Sequence, residues 1–320
     1  QAGAQIVPDA ASGCAGADLV ASVAPPDLAG QGIAALSRGT VLITSVQPTV
    51  DTELVEALKG RGVTLLSSDL IPRISRAQSM DVLSSQATVA GYHAVLLAAT
   101  ALPRLFPLLM TAAGTIKPAR VLVMGAGVAG LQAIATARRL GAVVEATDIR
   151  EAAKTEVESL GARFVDTTGG QDREGEGGYA RASTDAEIAA QQAVLAEHVS
   201  QSDVVITTAN VPGRKAPVLI TEAMVSAMRP GSVIVDMAVG SGGNCPLSVA
   251  GERATTENGV TIIGEPNLPA QVPGDASAML GRNLLDLLKL LLDDEGALAP
   301  DWEDEILAGC CVTRDGEATS

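Results

Sequence analysis

Short β-branched runs alternate with stretches of helical periodicity along the whole chain. That alternation leaves few folds besides parallel βα units wound on both faces of a sheet. Residues 19–23, 41–46 and 63–66 read as strands, with 52–59 as a short helix before the third. A second series (121–124, 143–147, 163–165, 204–208, 233–236 and 260–263) supplies the six strands of a complete doubly wound sheet. Between the two series, small and apolar residues recur at helical spacing from Met80 to about Leu102 and stop at Pro103. After Pro273, the Leu-rich stretch 280–292 reads as a second long helix returning to the first domain, followed by an acidic tail with Trp302. The expected fold is α/β: two Rossmann-like doubly wound parallel-sheet domains joined by long helices. The first domain is discontinuous, over 1–110 and 268–320, and the second covers 111–267.

Composition agrees with this plan. The 320 residues suit about two domains of about 150 residues each. With 47% hydrophobic and 18% charged residues the chain reads as globular rather than disordered. Its aromatic residues are only Tyr92, Phe106, Phe164, Tyr179 and Trp302, so Ala, Val, Leu and Ile must build the core, the mix found where helices cover both faces of a sheet. A net charge of −15 repels a phosphate backbone, and no nucleic-acid partner is expected. Cys14, Cys245, Cys310 and Cys311 show no C-x-x-C spacing, which reads as reduced thiols in a cytoplasmic setting, with no metal site. The longest apolar candidate for a membrane span, 121–137, contains three glycines and Gln132, so no span is expected, and no signal peptide is apparent. A first residue other than Met points to a chain cut from something longer.

Gly125-Ala126-Gly127-Val128-Ala129-Gly130 is a G-x-G-x-x-G, weak alone but here set between the strand 121–124 and a helix that ends near Arg138, Arg139 and Gly141. In that setting Gly125 permits the tight turn, Gly127 lets a pyrophosphate reach the helix N-terminus, and Gly130 allows helix and strand to approach. The next strand ends in Asp148, 23 residues past Gly125, where a carboxylate accepts the hydroxyls of the adenosine ribose and repels a 2′-phosphate. This favours NAD over NADP. Ile149 and Arg150 complete the turn; Arg150 reads either as a solvated surface cation or as a partner for a 2′-phosphate. Without a ligand, the same pattern is simply a tight βα turn.

A dehydrogenase acting on an alcohol or amine moves a proton as well as a hydride, so it places a group such as His or Lys beside its substrate. The two histidines, His93 in the long helix and His198 near the end of another, read as structural or surface residues. No His and Cys spacing suits catalytic zinc. Hydride transfer between two nicotinamides needs only two rings held in contact.

Four segments together resemble the NAD(H)-binding component of the proton-translocating NAD(P) transhydrogenases, which are related to the alanine dehydrogenases. They are VLVMGAGVAGLQAIATARRLGAVVEATDIR (121–150), PRISRAQSMDVLSSQ (72–86), PGSVIVDMAVGSGGNCPL (230–247) and CVTRDG (311–316). The resemblance covers nearly the whole chain; the first segment is shared with alanine dehydrogenases, and the second is more specific to transhydrogenases. It implies that Arg73, Gln78 and Asp81, with Ser84 nearby, position the nicotinamide. An Arg fork, an amide and a carboxylate can hold a carboxamide and ribose, although Arg73 and Asp81 could equally form a salt bridge between domains. Tyr179 corresponds to the tip of a mobile loop that closes over nucleotide, next to the stretch 169–178 that has five glycines in ten residues.

The resemblance also implies an NADP(H)-binding partner subunit, a membrane-spanning subunit, a homodimer, and peripheral attachment to the inner membrane through those partners. Its departures are specific. Ser22 stands where the family commonly has a lysine that alanine dehydrogenases use on a substrate carboxylate, and the segment 44–48 (TSVQP) lacks their histidine. Lys215 replaces an expected proline, and Glu265, Pro266 and Gln271 differ from the usual residues around 267–269. The family's opening strand and helix would precede Gln1, and their loss would leave two strand edges unpaired. Cys245 has no basic neighbour in sequence and reads as a packed thiol. The function expected is hydride transfer from NADH to NADP held by a partner, coupled to proton translocation. The alternatives are an alanine dehydrogenase and a non-catalytic NAD-binding module.

Overall fold

The β-branched runs build two separate sheets in the computed structural model, which describes residues 3–25, 31–167, 169, 184–210 and 214–319. Those residues fall into two compact units, Gln1–Ser85 with Ser277–Ser320, and Gln86–Ala276. The first unit opens with helix α1 (Ala10–Cys14), strand β1 (Leu19–Ala21), helix α2 (Gln31–Ala35), strand β2 (Val41–Thr44), helix α3 (Thr52–Gly60) and strand β3 (Thr64–Ser67). The three strands pair in parallel in that order. Alternate residues serve opposite faces: Val41, Ile43 and Leu66 join one buried cluster, while Leu42 and Leu65 join another with Leu54, Val55 and Leu58 of α3.

Helix α4 (Val82–Ala101) starts in the first unit and continues in the second. Its Ala90, Ala94, Val95 and Ala98 pack into the core of the second unit, so the units part inside this helix rather than in the loop after it. It is also the one helix among the described residues long and apolar enough to cross a membrane, at 20 residues. That corrects the choice of 121–137 as the longest apolar stretch, because the many alanines of α4 raise its hydropathy without bulk.

The second unit continues with an exposed hairpin, β4 (Leu109–Thr111) and β5 (Gly114–Ile116). The βα series then runs β6 (Arg120–Met124), α5 (Val128–Arg139), β7 (Val143–Thr147), α6 (Ala152–Ser159), β8 (Arg163–Phe164), α7 (Asp185–Gln201), β9 (Val204–Thr207), α8 (Glu222–Ala227), β10 (Val233–Asp236), β11 (Glu252–Thr255) and β12 (Thr261–Gly264). The sheet order is β8-β7-β6-β9-β10-β12-β11, parallel except for β11. This is the doubly wound arrangement, with its switch point between β6 and β9. Val121, Val123, Val204, Ile206, Val233 and Val235 fill the core on one face, and Leu122, Met124, Val205 and Ile234 fill the core on the other. Strand β11 is an added edge whose four residues are all exposed, so it carries no apolar pattern that a sequence reading could find.

Helix α9 (Pro273–Leu288) leads back to the first unit, where Leu287 and Leu291 are fully buried. What reads in sequence as an acidic tail forms helix α10 (Glu305–Cys310) and strands β13 (Cys311–Arg314) and β14 (Glu317–Ala318). Strand β13 pairs antiparallel with β3, so the first sheet runs β1-β2-β3-β13-β14.

Candidate functional site

Strand β6 ends at Met124 and helix α5 starts at Val128, and the glycine turn lies between them at the switch point. Gly125 has φ +99°, and a Cβ there would run into the Thr208 hydroxyl. That hydroxyl donates to the Gly125 carbonyl at 3.0 Å, fastening the turn to the end of β9. A Cβ on Gly130 would collide with the Gly125 carbonyl, so the first turn of α5 can sit on the strand end only without a side chain there. Gly127 is different. Its φ is −71°, open to any residue, and a Cβ there would meet nothing within 4 Å. The described residues make no demand for glycine at this position, and leave the space beside it open.

Gly127 is the N-cap of α5 and offers no side-chain cap. The opening N–H groups of a helix have no partner within it, so those of Val128, Ala129 and Gly130 form the positive end of the helix dipole. Gly127 and Val128 are exposed, and Ala129 is half-buried. Such an end binds phosphate well. Helix α4 supports it from behind, where Gly91 lies against the Ala129 carbonyl with no room for a Cβ.

Asp148 follows β7 beside this turn. Its Oδ2 accepts from the Ala126 N–H at 2.7 Å, which ties the acidic residue to the glycine turn. Arg150 does not extend into solvent but folds back on Asp148 through Nε and Nη2, at 3.0 and 3.1 Å. Ile149, between them, is half-buried. The cradle thus contains an uncapped helix end, an open glycine and an acidic residue at the end of the adjacent strand, a set of groups that fits a dinucleotide diphosphate and ribose.

Sequence reasoning missed the group that shapes the neighbouring loop. Asp236, wholly buried at the end of β10, accepts from the Thr207 hydroxyl and from the backbone N–H groups of Ala238, Asn244 and Cys245, at 2.9 to 3.0 Å. Asn244 Nδ2 then donates to the carbonyls of Ala209 and Pro217, both at 2.8 Å. A buried carboxylate with four donors fixes the loop after β10 at the same end of the sheet as the glycine turn. Lys215 lays its methylenes on Gly242. The Glu265 carboxylate accepts from the Asn267 N–H at 3.0 Å.

Arg73, Gln78, Asp81 and Ser84 lie in the first unit. Ala77 and Met80 of the 3-10 turn Ser75–Met80 are buried, which leaves Arg73 and Gln78 exposed on the loop. Asp81 caps α4: its Oδ1 accepts from the Ser84 N–H at 2.9 Å and its Oδ2 from the Ser84 hydroxyl at 2.6 Å. The loop is anchored by Arg76, which donates to both oxygens of Asp304 at 2.6 and 3.0 Å. Ser22 and Thr44, at the ends of β1 and β2, bond to each other through their hydroxyls at 2.9 Å. Tyr179, and the glycine-rich stretch beside it apart from Gly169, lie outside the described residues.

The two histidines lie on α4 and α7. His198 Nδ1 is 2.9 Å from Glu145, which Arg120 and Arg163 also approach, at 3.7 and 3.4 Å, beside an open cleft at the starts of β6, β7 and β8. Partial burial lowers the pKa of His93, against the opposing charge of Glu265. Cys245 is buried, and burial raises its pKa. Among the described residues no group of His, Cys, Asp and Glu could hold a metal ion.

Comparison with known proteins adds to this geometry. The model for the N-terminal domain of alanine dehydrogenase/PNT matches residues 1–90, and the model for the C-terminal domain matches residues 94–320. A protein of Rhodospirillum rubrum named as the first portion of NAD(P) transhydrogenase subunit alpha is 49% identical over 321 residues, spanning 98% of this chain and 83% of that protein. A solved transhydrogenase from Sinorhizobium meliloti superposes with a TM-score of 0.85 at 44% identity, covering 96% of this chain and 83% of the other. An alanine dehydrogenase from Halomonas elongata is 31% identical, spanning 99% of this chain and 81% of its own length.

Proposed function

This chain belongs to the alanine dehydrogenase/PNT family, and we propose that within it the chain is the NAD(H)-binding component of a proton-translocating NAD(P) transhydrogenase. The family is a pyridine-nucleotide one, and relatives named as transhydrogenase subunits give the chain an oxidoreductase role. Gly127 is the observation that carries the nucleotide reading. Among the described residues nothing requires a glycine there, whereas a pyrophosphate approaching the end of α5 needs the space a Cβ would take. The N–H groups of Val128, Ala129 and Gly130 hold that pyrophosphate, and Asp148 accepts the ribose hydroxyls beside Ile149 and Arg150. Gly125 shapes the turn. Arg73, Gln78, Asp81 and Ser84 hold the nicotinamide and its ribose, and Tyr179 covers the bound nucleotide.

The reaction passes a hydride from C4 of NADH to C4 of NADP on a partner subunit. Neither ring gains or loses a proton in that exchange, so the chain's task is to orient the donor. A membrane-spanning partner couples the exchange to proton movement and holds this component at the inner membrane. The chain pairs with a second copy; the β4–β5 hairpin, with Met110 74% exposed and Leu109 and Ile116 also exposed, is apolar surface suited to such contact.

Alanine dehydrogenase is the competing reading. The Ser22–Thr44 hydroxyl pair counts against it, since these residues sit where the resemblance places substrate-binding groups and the Ser22 hydroxyl donates to that of Thr44. Mixing the purified chain with an NADP-binding partner domain and following reduction of an NADP analogue by NADH tests the proposal. Turnover in the mixture alone is the expected result. Alanine-dependent reduction of NAD by the chain alone would establish the dehydrogenase, and NADH binding without turnover beside a competent partner would establish an inert module.

A further inference from the structure

The Asp148 carboxylate is already full. Its Oδ1 accepts from the Arg150 N–H at 2.9 Å and from Arg150 Nε at 3.0 Å; its Oδ2 accepts from the Ala126 N–H at 2.7 Å and from Arg150 Nη2 at 3.1 Å. An ionised carboxylate has about four lone-pair sites, and these four bonds use them all. The Asp148 side chain is 8% exposed and that of Arg150 21%, so the pair is largely removed from water. Arg150 Nη2 also donates to the Ala126 carbonyl at 3.2 Å, so one guanidinium bonds both the acidic residue and the backbone of the glycine turn.

A ribose diol can bond Asp148 only by displacing two of these donors. The two backbone N–H groups are fixed by the fold; the two guanidinium bonds are made by a side chain that can rotate away. We propose that Arg150 is an affinity-setting residue that competes with the adenosine ribose for Asp148. It weakens NAD(H) binding and speeds its release, which suits a donor that must leave after each turnover. This deepens the nucleotide reading above and rests on it. The guanidinium acts only on the adenosine half, so its effect separates from any effect on the nicotinamide half.

The test is binding to the purified chain, followed by calorimetry and stopped-flow fluorescence, with NADH, ADP and reduced nicotinamide mononucleotide as probes. Arg150→Ala is expected to tighten NADH and ADP about tenfold and slow NADH release, leaving the mononucleotide unchanged. Arg150→Gln, which keeps a neutral donor, is expected to fall between and serves if the alanine variant does not fold. Unchanged or weaker binding of NADH by folded variants overturns the proposal, as does an equal gain for the mononucleotide. A wild-type chain that does not bind NADH at all overturns the nucleotide reading itself, and the competition with it.

Discussion

Gly91, at the middle of α4, lies against the carbonyl oxygen of Ala129 in the first turn of α5, and the space for a Cβ is taken. An exposed helical Gly→Ala change ordinarily stabilises, because alanine leaves less backbone freedom to be lost on folding. Here the sign reverses. Gly91→Ala forces α4 and α5 apart, at a cost of about 1–3 kcal/mol for overpacking, and it shifts the helix end proposed to hold pyrophosphate. Gly281 in α9 has nothing within 4 Å and is the control: Gly281→Ala should gain roughly 0.5–1 kcal/mol. Urea melts of the two variants check this, and equal effects would refute the contact.

The glycine turn makes a second contrast. Gly127→Ala should leave the melting temperature within a degree or so of wild type and yet weaken NADH binding by about tenfold or more, since its Cβ fills space that no described residue uses. Gly130→Ala should lose stability before any ligand is added, because its Cβ meets the Gly125 carbonyl. Thermal melts paired with NADH titrations separate the two; destabilisation by Gly127→Ala would end the distinction.

Thiol chemistry reports on packing in the first unit and around β10. Burial pushes the Cys310 thiol up to about 12 and raises those of Cys245 and Cys311, while Cys14 is half-buried. Alkylation of the native chain at about pH 8 should modify Cys14 alone, with all four cysteines reacting after unfolding. Peptide mass mapping reads the outcome, and rapid native labelling of Cys310 or Cys311 would show the end of α10 or the start of β13 to be less well packed.

The Arg76 guanidinium holds the Asp304 carboxyl below its ordinary 3.8. The unfolded chain therefore binds more protons at this residue than the folded one. The stabilisation is complete above the unfolded value and is lost as pH falls through it towards the folded one. Arg76→Gln should flatten the fall of the urea midpoint between about pH 5 and about pH 3 relative to wild type. Superimposable pH profiles would show that the pair contributes nothing in solution.

What the sequence makes legible is local. Residues 121–148 hold strand, turn, helix and acidic residue within one βαβ unit, and each element follows from its neighbours. The groups that escape such a reading act across the chain: Thr207 and Asp236 are 29 positions apart, and Gly91 meets Ala129 from another helix. A buried aspartate at a strand end looks the same in sequence whether it binds a ligand or a loop. Arg150 reads as a solvated cation because nothing in the order of residues shows that it turns back on a neighbour two positions away. Strand β11 is hidden by having no buried face, and β13 by a short run that becomes a strand only beside β3.

That last pairing sets a timetable. The Thr313 hydroxyl donates to the Val63 carbonyl across 250 positions, and β13 is stitched to β3 from far along the polypeptide. During translation the second unit, whose strands are contiguous, can close while the earlier-made β1 to β3 still await their partner. The sheet begun first is thus the one completed last, and β3 keeps an open edge until β13 has left the ribosome.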